Sequence, residues 1–190
     1  MEAFLVSTGI VALAEIGDKT QLLSLLLAAR FRKPWQIILG ILVATLANHA
    51  LAGAVGAWVT TLVGKDALRW ILGLSFIAMA AWIMIPDKLD DDATATEERY
   101  GVFTATVIAF FLAEMGDKTQ VATVALAAQY QTLLAVVMGT TLGMMLANVP
   151  AVLVGDKAAQ RLPLKLVHGI AALIFAALGV LALFNVGGAL

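Results

Sequence analysis

Two short stretches hold the residues of this chain best suited to chemistry: AEIGDKTQ at 14–21 and AEMGDKTQ at 113–120. They share seven of eight letters, and each lies within an apolar run. Residues three and four apart share one face of a helix. Glu15, Asp18 and Lys19 therefore point together, as do Glu114, Asp117 and Lys118, with Gln21 and Gln120 on the flanks of the aspartates. On a continuous helix Thr20 and Thr119 would point away. Unwinding near Gly17 and Gly116 would turn both threonines in and free backbone carbonyls as ligands. Such a cluster is rich in oxygen, contains no sulfur and needs no imidazole. Hard oxygen donors suit calcium, magnesium and manganese, whereas zinc and copper sites prefer histidine and cysteine. Four carboxylates and two ammoniums sum to −2, a charge that one divalent cation or two protons would neutralise. Desolvation favours a neutral carboxyl group, so protons compete with a cation for the same oxygens. Shared occupancy of that kind is the basis of cation/proton antiport.

The elements that must position these groups are membrane spans. Of the 190 residues, 62% are hydrophobic and 13% charged, with a mean hydropathy of +0.96. A soluble domain has about 45–50% apolar and about 25% charged residues. Crossing the hydrocarbon core takes about 20 mostly apolar residues. Six segments qualify, near 3–29, 35–63, 68–85, 102–128, 133–154 and 164–186. This predicts an all-α integral membrane protein. No cysteine is present, which excludes disulfides, thiolate sites and cysteine nucleophiles. There is neither a phosphate-cradling loop, a nucleophile–base arrangement nor a nucleic-acid motif, and MEAFLV lacks the basic region of a secretory signal.

Lys and Arg accumulate on the cytoplasmic side of membrane proteins. Arg30, Arg32, Lys33, Lys88, Arg99, Lys157, Arg161 and Lys165 fall in the first, third and fifth loops, against Lys65 and Arg69 on the other side. Both termini are therefore expected outside the cytoplasm. Trp35, Trp58, Trp70 and Tyr100 lie near predicted span ends, as an aromatic belt would. The acidic run at 90–98 reads as a solvated linker.

The two motif segments align at an offset of 99 from Phe4/Phe103 to Ala28/Ala127, and LRWILG (68–73) lines up with LKLVHG (164–169). The expected organisation is a first three-helix repeat over 1–85, a cytoplasmic acidic linker over 86–101 and a second repeat over 102–190. An odd number of spans makes the second repeat inverted, an arrangement typical of secondary transporters with midplane sites. Gly40, Ala44, Asn48, Ala52, Gly56 and Thr60 recur every four residues, and Gly139, Gly143, Ala147, Ala151 and Gly155 repeat the pattern. Small residues at this spacing let helices approach closely, so the stripe reads as a packing seam. Asn48 lies on the stripe. Asn148 is displaced by one residue, and Pro150 is expected to kink that span and turn it inward.

Only Glu15, Asp18, Glu114 and Asp117, of thirteen acids, fall inside spans. A charge at the bilayer centre costs about 2.5–3.5 kcal/mol on insertion scales, so the motif calls for a compensating function. The structural alternative is a Glu15–Lys19 pair in its favourable i,i+4 order, locking the halves together. Duplication of the motif, with Asp and Gln added, favours a cation site. The lysines either neutralise part of the cluster or act as tethered cations. His49 and His168 read as neutral, hydrogen-bonded helix histidines, with a proton relay as the alternative.

The duplicated E-x-G-D-K-[T/S] pattern, EIGDKT (15–20) and EMGDKT (114–119), resembles the Gdt-type manganese/calcium:proton exchanger family over essentially the whole chain. The resemblance implies exchange of Mn²⁺ or Ca²⁺ for H⁺, with Glu15, Asp18, Glu114 and Asp117 as cation ligands. Lys19, Thr20, Gln21, Lys118, Thr119, Gln120, Asn48 and Asn148 would be the supporting polar groups. The short linker and lack of a targeting extension resemble a bacterial inner-membrane member exporting manganese. The expectation is thus a non-enzymatic antiporter with no prosthetic group, whose partners are divalent cation, protons and the bilayer, with self-association left open. The alternatives are an exporter of a small solute such as a cationic amino acid, and a non-transporting scaffold.

Overall fold

A computed structural model of the chain describes residues 1–85, 97–154 and 164–185, with the side chains of 97–100 left aside. The acidic part of the linker and the basic loop at 155–163 lie outside the described residues. Eight helices form among the described residues: α1 (Glu2–Glu15), α2 (Lys19–Phe31), α3 (Pro34–Leu62), α4 (Lys65–Trp82), α5 (Glu97–Glu114), α6 (Lys118–Tyr130), α7 (Leu133–Val154) and α8 (Leu164–Leu183).

Six spans were expected, with unwinding near Gly17 and Gly116, and among the described residues the chain does part at both motifs. The segments over 3–29 and 102–128 are each two helices, parted between Glu15 and Lys19 and between Glu114 and Lys118. Gly17 and Gly116 take φ of +84 and +75, a left-handed conformation that glycine adopts without steric cost and that ends an α-helix. Among the described residues three helices are long and apolar enough to cross a membrane, Pro34–Leu62, Leu133–Val154 and Leu164–Leu183.

Local signals account for the remaining boundaries. Pro34 occupies the first turn of α3, where its missing N–H costs nothing. Helices α2 and α6 both close on a left-handed cap: the Arg32 amide donates to the Ala28 carbonyl and the Gln131 amide to that of Ala127. Pro150 sits inside α7, which nonetheless runs on to Val154.

The burial pattern is that of a protein in oil. Leu39, Leu42, Val43, Leu46 and Leu51 of α3 face outward, while Thr45, Asn48 and His49 on the same helix are buried. Trp35, Trp58 and Trp70 at helix ends are exposed. Apolar surroundings reward this arrangement, because lipid solvates leucine and excludes unsatisfied polar groups. One core cluster joins α1, α4, α6 and α8 around Phe76 and Phe175; a second joins α2, α3, α5 and α7 around Ile41 and Phe110.

The small-residue stripe is a close-packing seam. A Cβ added to Gly40 would meet Thr106 and Phe103 of α5, and one added to Gly139 would meet Phe4 and Ser7 of α1. These contacts are reciprocal at the offset of 99. Gly56 is the tightest point, where a Cβ would lie 2.2 Å from the Val124 carbonyl oxygen of α6. Backbone cannot rotate aside as a side chain can. Gly56→Ala is expected to lower stability by about 1–3 kcal/mol, the usual cost of overpacking. Gly9→Ala, with nothing within 4 Å, should be neutral or stabilising. Thermal unfolding in detergent distinguishes the two.

Candidate cation site

The glycine breaks build the site from both halves. Helix α1 delivers Glu15 at its last position and α5 delivers Glu114 at its last, while Asp18 and Asp117 are the N-caps of α2 and α6. Neither aspartate spends its side chain on capping its own helix. The amides of the breaks are held instead by the glutamines. Gln21 Oε1 accepts from the Gly17 N–H at 2.9 Å, and Gln120 Oε1 from the Gly116 N–H at 2.7 Å. The other ends of these side chains reach across: Gln21 Nε2 donates to the Ala147 carbonyl of α7, and Gln120 Nε2 to Asn48 Oδ1 of α3.

The breaks also turn the threonines inward. Thr20 Oγ1 donates to Glu15 Oε2 at 2.6 Å, and Thr119 Oγ1 to Glu114 Oε2 at 2.8 Å. Each glutamate is thereby oriented by its own motif, and both are fully buried.

The lysines act across the halves. Lys19 Nζ lies 3.1 Å from Asp117 Oδ1 and Lys118 Nζ lies 2.9 Å from Asp18 Oδ1. The Glu15–Lys19 pair considered as a lock does not form, since the break that ends α1 at Glu15 starts α2 at Lys19 and re-aims the ammonium. The two cross-pairs differ in exposure: Lys118 is 1% exposed and Lys19 23%.

Three carboxylates remain gathered. One oxygen each from Glu15, Glu114 and Asp117 fall within 4.8 Å of one another. Glu15 Oε1, Glu114 Oε1 and Asp117 Oδ2 are buried and have no hydrogen-bond partner among the described residues. Buried polar atoms are nearly always satisfied, so three unpartnered acceptors in one place suit a positively charged ligand. Calcium–oxygen bonds are about 2.3–2.6 Å and magnesium–oxygen bonds about 2.0–2.1 Å, so two ligands of one ion stand at most about 4–5 Å apart. The cluster has that scale. Asp18 stands outside the trio, against Lys118.

The asparagines tie neighbouring helices to the motif helices. Asn48 Nδ2 donates to the Phe111 carbonyl at 3.0 Å; Asn148 Oδ1 accepts from Ser24 Oγ at 2.7 Å and its Nδ2 donates to the Met144 carbonyl. Ser24, unremarked in the sequence reading, is fully buried beside the site. Its counterpart at the offset of 99 is Thr123, and a polar pair inside two apolar runs was the available signal. His49, expected to be hydrogen-bonded, is buried with neither ring nitrogen partnered among the described residues.

Comparison with known proteins bears on what this arrangement serves. A family profile described as "Divalent cation/proton antiporter GDT1" matches residues 3–91 and 102–188. A protein of Vibrio cholerae named "Putative manganese exporter" is 54% identical over 176 residues, which span 92% of this chain and 87% of that one. A GDT1-like protein of Synechocystis is 29% identical, covering 92% of this chain and 93% of its own. GDT1-like protein 3 of rice is 28% identical, covering 92% and 71%. No solved structure matches the chain.

Proposed function

The chain belongs to the GDT1 family of divalent cation/proton antiporters, and from that premise we propose that it exports Mn²⁺ from the cytoplasm in exchange for H⁺, holding the cation between its two motifs. It is a membrane transporter and not an enzyme. The observation that carries the site assignment is the trio of buried, unpartnered carboxylate oxygens on Glu15, Glu114 and Asp117. Asp18 is the fourth ligand, and Lys118 stands in as a tethered cation until the metal displaces it. Thr20, Gln21, Thr119 and Gln120 orient the acids, Lys19 offsets Asp117, and Asn48 and Asn148 anchor the surrounding helices. Ca²⁺ is the second cargo that an all-oxygen site would accept. No prosthetic group takes part.

The architecture we propose is six crossings in two inverted repeats, with α1–α2 and α5–α6 each forming one crossing from two half-helices. Half-helices meeting at midplane are the usual frame for transporter sites. The reciprocal contacts of Gly40 and Gly139 support that reading. The basic residues Arg30 in the last turn of α2 and Arg32 and Lys33 just after it favour an inner-membrane protein with both termini outside the cytoplasm.

Liposomes containing the protein and a trapped pH dye test the proposal. Mn²⁺ added outside should alkalinise the lumen as protons leave, with a rate that saturates in Mn²⁺ and is absent from empty liposomes. A pH change driven by lysine and not by Mn²⁺ would favour the small-solute exporter instead.

A further inference from the structure

In an unbroken helix the Ile16 carbonyl would accept the Thr20 amide, four residues on. The break at Gly17 removes it from that ladder, since α1 ends at Glu15 and Ile16 takes ψ of 115°. His168 of α8 supplies the substitute: its Nε2 lies 2.7 Å from the Ile16 oxygen. A carbonyl only accepts, so this nitrogen carries the proton and donates. One turn earlier on α8, Leu164 covers the break itself, with Cδ2 2.6 Å from where a Cβ on Gly17 would stand.

The second motif has the same break in different surroundings. Among the described residues nothing lies within 4 Å of a Cβ placed on Gly116, and Met115 and Gly116 are exposed. Aligning LRWILG with LKLVHG puts Leu72 of α4 where α8 has His168. Leucine has no side-chain donor, and Leu72 is buried in the apolar core. Among the described residues the clamp is therefore found at the first break and not at the second.

We propose that His168 is a positioning residue that latches the first motif closed, fixing the Ile16 carbonyl and with it Glu15, and that this latch parts when the first motif opens to load or release its cation. The proposal rests on the exchanger reading for what passes, but the latch can be read without any cargo.

The chain has no cysteine, so a single Ile16→Cys reports access to the first break. In membrane vesicles labelled with an impermeant maleimide, His168→Leu should raise the labelling rate about tenfold, the ratio expected for one lost hydrogen bond, and His168→Gln should stay within about twofold of the parent. His168→Asn, whose shorter amide stops short of the carbonyl, repeats the test with a polar side chain if the leucine variant does not fold; it should label like His168→Leu. Equal labelling of the parent and either shortened or apolar variant overturns the latch, as does a His168→Gln rate matching that of His168→Leu. Labelling is independent of cation flux, so failure of the manganese assay and failure of the latch are separate outcomes.

Discussion

Vesicles carrying Glu15→Gln or Glu114→Gln are expected to lose Mn²⁺-driven proton exchange by about a hundredfold or more, since even groups that only orient a metal ligand carry about 10–100-fold in affinity. Glutamine keeps the size of the side chain and can still accept the bond from Thr20 or Thr119, so the substitution isolates charge. Each change removes one of the negative charges that would balance a divalent cation in a buried chamber. Folding should not suffer. Neutralising one member of a crowded group of buried carboxylates relieves repulsion and desolvation, so the variants should melt no lower than the parent. The measurement is therefore double, exchange in liposomes and thermal stability in detergent. A Glu114→Gln protein that exchanges at the parent rate would remove Glu114 from the cation path.

The second large effect concerns stability. Lys118 is 1% exposed and 2.9 Å from Asp18, whereas Lys19, at 23% exposure, is 3.1 Å from Asp117. Removing one partner of a buried pair leaves an uncompensated charge and costs about 3–5 kcal/mol; a partly solvated pair is worth about 0–1 kcal/mol. Lys118→Met should accordingly destabilise the protein by several times as much as Lys19→Met. Adding Asp18→Asn to Lys118→Met should restore most of the loss, because replacing both members of a buried pair is often close to neutral. Equilibrium unfolding of the single and double variants gives the coupling directly. Equal effects of Lys19→Met and Lys118→Met would show that the cross-pairs do not differ in burial energetics.

Much of the fold was legible in the chain because oil imposes simple rules. A run such as 35–62 has no choice but a helix in hydrocarbon, and α3, α7 and α8 fall close to their expected limits. The glycines of the two motifs also announced themselves, since a glycine beside three polar residues within an apolar run marks a break more than a packing contact. At those same glycines each motif span divides into two helices. Apolar length measures how far a segment can reach across a bilayer, and it is blind to a turn of two or three residues in its middle.

The partners of the charges were not legible. Within one motif the spacing of Glu15 and Lys19 favours a local pair, and nothing local says that Lys19 will reach Asp117 and Lys118 will reach Asp18. That choice depends on how the two breaks face each other, which packing of α3 on α5 and α1 on α7 decides. The same holds for the carboxylates: four acids were evident from composition, and only the assembled bundle separates Asp18, against its lysine, from the trio of Glu15, Glu114 and Asp117. The sequence by itself determined which residues are charged inside the membrane segments and that they come in two matched sets. Tertiary structure alone decided which of them meet, because residues about 100 positions apart are brought together by helix packing and not by any local spacing.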